Sequence, residues 1–231
     1  MIRWSPPGPY EVAFSTRRGG VSEGPYDSLN LGRLTGDDVK RVDENRRRVC
    51  AEVGGRLERL ALNRQVHSAT VHQARPGARG EPSDGLWTEE RDLPVLVMTA
   101  DCLPIVLARV DGRPGVAVLH AGWRGLLAGL VAEGVRALGG RLRAALGPAI
   151  GPCCYEVGPE VAEPFATAFG RDVTRKRHVD LWAAAERSLA AAGVEDVQRF
   201  ELCTSCNAEL FFSHRRTGEP RGVQGAIARV A

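Results

Sequence analysis

A chain of 231 residues with 43% apolar side chains is long enough to bury one sizeable core. Its formal net charge of +3 is small and its basic residues are dispersed, which excludes the broad positive footprint of a nucleic-acid binder. No stretch has the length of a membrane span, the opening M-I-R-W-S-P-P-G-P-Y lacks the apolar run of a secretory leader, and six cysteines are too sparse for a disulfide scaffold, so a cytoplasmic protein with free thiols is expected.

Glycine and proline fall in short turns and no repeat is found, so residues 1–231 read as one domain. Residues 12–15 predict a strand that enters the glycine turn T-R-R-G-G, with Arg17 and Arg18 at the turn. Asn30, between leucines in S-L-N-L-G, either satisfies backbone groups or faces a ligand. Asp37 or Asp38 would cap a helix over 39–53, whose Val42, Arg46, Val49 and Val53 form one narrow stripe ended by Gly54 and Gly55. Residues 60–66 predict a strand running into N-R-Q-V-H-S-A-T-V-H, with alternation around Gln65, His67 and Ala69. On that strand His67 and His72 would face opposite sides, so only one of them can join a site. A glycine, proline and arginine loop is expected over 76–82, and Ser83-Asp84-Gly85 reads as a turn whose Asp bonds its own backbone.

The strongest chemical signal lies in residues 99–125. Two apolar runs, 93–98 and 115–119, predict buried strands; the first ends in Asp101 and Cys102, the second in H-A-G-W-R-G. A helix expected over 123–138 would aim its first N–H groups at the same rim, a setting that favours an anion. A short strand over 144–146 then leads into the loop G-P-A-I-G-P-C-C-Y-E-V-G, which carries the adjacent Cys153 and Cys154. Helices are expected over 161–169 and 181–192, the latter capped by Asp180, and strands over 197–202, 210–213 and 222–230.

Three ligand-competent side chains, His67, Cys102 and His120, sit at or near the ends of apolar runs. Two imidazoles and a thiolate suit zinc with a fourth position left open, as in catalytic sites. The same groups would also suit a Cys102 nucleophile with His120 as its base, and spacing alone does not separate the two. C-T-S-C at 203–206 has no second close-spaced pair to complete a structural zinc site and no helix behind it, so Cys203 and Cys206 read as structural thiols, as do Cys153 and Cys154. For F-F-S-H-R-R at 211–216 the choice is between an edge strand with a basic end and an anion pocket built on Arg215 or Arg216.

Taken together, F-S-T-R-R-G-G-V-S, S-L-N-L-G, N-R-Q-V-H, T-A-D-C-L-P, L-H-A-G-W-R-G, G-P-A-I-G-P-C-C-Y-E-V-G and F-F-S-H-R-R resemble the YfiH-like proteins, called the polyphenol oxidase or laccase-domain family and now the purine nucleoside phosphorylase family. The likeness spans nearly the whole chain. It implies an α+β protein, a four-layer α-β-β-α sandwich similar to the cysteine-hydrolase-like fold. It also implies zinc, with copper as the alternative, on His67, Cys102 and His120, and a catalytic part for these three and Asp101. Substrate or phosphate contacts would come from Arg17, Asn30, Gln65, Arg124, His214 and Arg215. The implied reaction is phosphorolysis of adenosine, inosine, guanosine or methylthioadenosine to free base and a ribose 1-phosphate, with adenosine deamination beside it. Partners would be small molecules, with neither nucleic acid nor membrane, and a homodimer is left open. Two rival activities accompany the resemblance: a cysteine-based amidase editing cell-wall precursors, and copper-dependent phenol oxidation, which five dispersed histidines support poorly.

Overall fold

The computed structural model describes residues 1–77 and 79–231. Two six-stranded mixed sheets lie face to face. The first has the order β1 (Ile2–Trp4), β2 (Tyr10–Phe14), β14 (Gln224–Val230), β7 (Val95–Thr99), β3 (Ala61–Arg64), β5 (Arg79–Pro82). The second runs β13 (Val197–Arg199), β10 (Leu142–Leu146), β8 (Leu103–Arg109), β9 (Val116–Ala121), β6 (Gly85–Thr88), β4 (Val71–Gln73). Helix α1 (Val39–Glu52) covers the first sheet; α2 (Trp123–Leu127), α3 (Leu130–Leu138), α4 (Pro159–Phe169) and α5 (Leu181–Ala191) cover the second. A small hairpin, β11 (Thr174–Arg175) with β12 (His178–Val179), and a one-turn helix α6 (His214–Thr217) complete the elements.

Side-chain alternation explains the layering. Along β8, Leu103, Ile105 and Leu107 pack toward the helices while Val106 and Ala108 pack between the sheets; β9 divides Leu119 and Ala121 from Val116 and Val118 in the same way. In the first sheet Val95 and Val97 enter the intersheet cluster and Leu96 faces α1, where Val49, Cys50 and Val53 meet it. Strands apolar on both faces must be covered on both, and three apolar clusters therefore separate four layers, α-β-β-α.

Several local expectations change. Strand β8, the middle of the second sheet, was not anticipated, because Pro104 interrupts the apolar run; it is tolerated as the second residue of the strand. The helix expected over 123–138 is two helices, broken at Gly129, whose φ of 88° no other residue type adopts as readily. The anion-favouring terminus expected there shrinks to a helix of 5 residues. The stretch 210–213 is not a strand but an extended lead into α6, where Ser213 Oγ accepts from Arg216 N–H. Within the loop expected over 76–82, residues 79–82 form β5, and Ala78 lies outside the described residues. Asp38 and Asp180 cap α1 and α5 as expected.

Candidate active site

Topology brings the site together. Strands β5 and β7 both run parallel to β3, so all three end at the same edge of the first sheet, and after each one the chain crosses to the second sheet. The three crossings carry His67, Asp84 and Cys102. His120 arrives from the other side near the end of β9, where Leu119 pairs with Gly85 and Ala121 with Leu103. Two crossings turn through left-handed backbone at non-glycine residues, His67 (φ 61°) and Asp101 (φ 93°), a conformation that concentrates at functional sites. His67 is therefore in a turn rather than on a strand; His72, on β4, has no part in the cluster.

The donor atoms of His67, Cys102 and His120 lie within 4.8 Å of one another. Cys102 Sγ is 3.7 Å from His67 Nε2, against about 3.6 Å for a sulfur and a nitrogen sharing a tetrahedral zinc. The two imidazoles meet edge to face with centroids 4.8 Å apart. A side chain at position 122 would reach His67 Cδ2 at 2.8 Å and Cys102 Sγ at 3.2 Å, so the glycine of H-A-G-W keeps the trio open. His67 is exposed, Cys102 half-buried and His120 buried.

Asp84 is the residue that sequence reasoning missed. Its fully buried carboxylate takes His120 Nδ1 at 2.8 Å through Oδ1, while Oδ2 accepts from the Ser68 N–H, the Ser68 hydroxyl and the Val66 N–H. A carboxylate on the far nitrogen fixes the imidazole tautomer and leaves Nε2 for the site, the arrangement found behind metal-bound histidines. Burial pushes the Asp84 carboxyl up, but the His120 and Ser68 hydrogen bonds outweigh it and hold it at about 2. Burial also disfavours the Cys102 thiolate and the His120 imidazolium, yet their mutual attraction, with Asp84 behind His120, brings the thiol down and the imidazole up.

Several other expected site residues make contacts within the protein. Both ends of the Asn30 amide are used inside the protein, Nδ2 on Thr35 and Asp37 and Oδ1 by the Gly32 and Val223 N–H groups. Arg17 donates to the carbonyls of Asp27 and Ala208 and stacks on Phe212. Gln65 pairs both its amide atoms with the Met98 backbone, prolonging the β3–β7 contact to the cavity wall. Asp101 accepts from Thr204 Oγ1 at 2.6 Å and Arg215 N at 2.7 Å, which ties the Cys102 turn to the distant 203–206 turn and to α6. Arg215 donates to the carbonyls of Cys154 and Glu156, and Arg124 stacks on Trp123. His214 is exposed at the start of α6.

His67, Cys102 and His120 open onto a cavity of about 490 Å³. Arg33, Arg46, Arg64 and Arg221 line it, with Glu219 the one carboxylate among the described lining residues. Arg64 makes no ion pair among the described residues, whereas Arg33 pairs with Asp43. Asn63 Oδ1 and Thr99 Oγ1, on lining residues only 2% exposed, have no hydrogen-bond partner among the described residues. A concave, basic cavity beside a Cys-His-His cluster suits a small anionic reactant.

Comparison with known proteins agrees. The model of the family described as multi-copper polyphenol oxidoreductase laccase matches residues 11–231. The chain is 39% identical over 228 residues to the purine nucleoside phosphorylase YfiH of Escherichia coli K12, covering 93% of this chain and 91% of that one. It is 38% identical over 235 residues to the adenosine deaminase RL5 of an unknown prokaryotic organism, covering 89% and 88%. Among solved structures, Neisseria meningitidis protein NMB0706 superposes with a TM-score of 0.89 at 34% identity, covering 98% of this chain and 96% of that one.

Proposed function

Because the chain belongs to the YfiH-like family, the one described as multi-copper polyphenol oxidoreductase laccase, we propose that it is a zinc-dependent purine nucleoside phosphorylase with adenosine deaminase activity. The observation that carries this reading is the Asp84-oriented His67, Cys102 and His120 trio at the wall of a basic cavity large enough for a nucleoside. The relatives' names, YfiH as phosphorylase and RL5 as deaminase, support the two reactions.

The donor set fits zinc: two imidazoles, one thiolate and room for a fourth ligand. His67 Nε2, Cys102 Sγ and His120 Nε2 would hold the ion, which when bound supplies Lewis-acid polarisation and lowers the pKa of water. Asp84 keeps the proton on His120 Nδ1. Arg64 draws phosphate into the cavity and lowers the cost of holding its charge, while Arg33 and Arg221 are paired with Asp43 and Glu219. In phosphorolysis a phosphate oxygen bonds to the ribose C1′ as the bond to the purine nitrogen breaks, and the departing base takes up a proton. In deamination water replaces the exocyclic amine, which leaves as ammonia.

Incubating zinc-loaded protein with adenosine, with and without phosphate, tests the reading. Adenine and ribose 1-phosphate should form only with phosphate, and inosine in both cases. Formation of neither adenine nor inosine would overturn it. A second reading draws on one specific observation, the Cys102, His120 and Asp84 sequence, which also suits a thiolate nucleophile with an oriented base. Cleavage of a UDP-linked muramyl amide that survives chelation would favour that amidase. Copper-dependent phenol oxidation finds less support, since only two of the five histidines enter a donor cluster among the described residues.

A further inference from the structure

The four cysteines that the sequence offered as unrelated thiols come together. Cys153 and Cys154 lie in the turn after β10, Cys203 and Cys206 in the turn after β13, and their four sulfurs are within 4.8 Å of one another. Cys206 Sγ is 3.5 Å from Cys153 Sγ and 3.4 Å from Cys154 Sγ, and no pair is bonded as a disulfide. None of the four belongs to the His67, Cys102 and His120 trio, and the proposed reaction uses none of them.

We propose that these four cysteines form a second, structural zinc site. The edge of a tetrahedron of sulfurs around zinc is about 3.8 Å for a metal–sulfur bond of about 2.3 Å, so contacts of 3.4 and 3.5 Å need only a slight expansion to admit the ion. Packing does not explain the cluster. Unbonded cysteines favour the core, yet Cys153 and Cys206 are exposed, held against half-buried Cys154 and buried Cys203. The backbone is already arranged for ligation: the Gly151 N–H donates to Cys203 Sγ at 3.2 Å, a contact that stabilises a thiolate ligand. Gly151 keeps the turn close to the cluster: a Cβ there would lie 3.3 Å from both Cys153 Sγ and Cys203 Cβ and 3.2 Å from the Trp182 ring, a tight fit on all three.

The two turns are also pinned together by backbone, through the parallel Ala149–Cys203 bridge, whose Thr204 N–H donates to the Ala149 carbonyl at 2.9 Å. Four protein sulfurs close the coordination sphere, which is the hallmark of a structural rather than a catalytic zinc, and binding releases the thiol protons. The site's consequence reaches the proposed active site. Thr204, beside Cys203, holds Asp101, and Arg215, anchored on the Cys154 carbonyl, donates its N–H to the same carboxylate. Zinc at the cysteines would therefore stiffen the turn that presents Cys102.

Metal content and thiol reactivity test this apart from any activity. Zinc-replete wild type should carry about one zinc equivalent more than the Cys153→Ser/Cys206→Ser double variant, while Cys102→Ser keeps that equivalent. Cobalt substitution should give a tetrathiolate charge-transfer band that persists in Cys102→Ser and disappears in the double variant. In folded wild type, which needs no variant to fold, Cys153 and Cys206 should resist a thiol reagent until a chelator is added. Free reaction of these two exposed thiols in zinc-replete protein, zinc content equal in wild type and double variant, or a Cys153–Cys206 or Cys154–Cys206 disulfide found by mass spectrometry would each overturn the assignment.

Discussion

At the residue scale the candidate site depends on Asp84, a side chain that touches no ligand. Replacing it as Asp84→Asn puts an amide N–H among the Ser68 and Val66 donors or removes the acceptor for His120 Nδ1. Zinc affinity should fall by roughly 10 to 100-fold, measured by competition with a chromogenic chelator. The same carboxylate links stability to pH. Its folded pKa of about 2 lies below the ordinary 3.8, so its contribution, on the order of 2 kcal/mol, is present above pH 3.8 and is lost as pH falls through about 2. Urea midpoints at neutral and acid pH should therefore converge between wild type and Asp84→Asn as pH drops. In metal-stripped protein Cys102, its thiol lowered by His120, should be alkylated well below the usual thiol range of about 8.5, as read by peptide mapping, and Asp84→Asn should move that profile upward. Arg64, unpaired at the cavity wall among the described residues, should matter for phosphate: Arg64→Gln should raise its KM several-fold, about 1 kcal/mol of binding, and leave deamination unchanged.

At the element scale, the close approach of α3 to the second sheet is set by Gly134. Alanine there would improve helix propensity by about 1 kcal/mol, but its Cβ would meet Leu119 Cδ1 at 2.7 Å in a filled core. Overpacking should win, so Gly134→Ala is expected to destabilise by about 1 kcal/mol net in thermal or urea unfolding. Periodicity made α1, α4 and α5 legible, together with their Asp38 and Asp180 caps, because those signals are local. Strand β8 was not legible, since a proline inside a strand reads as a break until the neighbouring strands show which hydrogen bonds it forgoes. The 123–138 segment failed for a related reason: its apolar spacing continues through Gly129, and only the need to turn against the sheet selects a left-handed break there.

At the scale of the whole molecule, His67 and Cys102 sit on crossings between the sheets and His120 on the second sheet, so an ion held by all three joins both. Metal loading should raise the melting temperature of the cooperative transition, by the equivalent of about 3 kcal/mol at a hundredfold excess over Kd. Chelation of the Cys153→Ser/Cys206→Ser variant in a scanning calorimeter checks this apart from the four-cysteine site, and the shift should shrink when His67→Ala is added. The sequence by itself determined the residue types, the apolar strands and most helix limits, and the motif resemblance put His67, Cys102 and His120 on one list. Only the tertiary structure decided that Asp84, read locally as a self-bonded turn, reaches across to His120, that Asn30 and Arg17 are occupied by the frame, and that Cys153, Cys154, Cys203 and Cys206 form one cluster. The physical reason is that these relations run between groups far apart in the chain, 36 positions in the Asp84–His120 pair, 52 and 53 in the cysteines, 191 from Arg17 to Ala208 and 193 from Asn30 to Val223, where strand order and crossing direction, not local spacing, fix who meets whom.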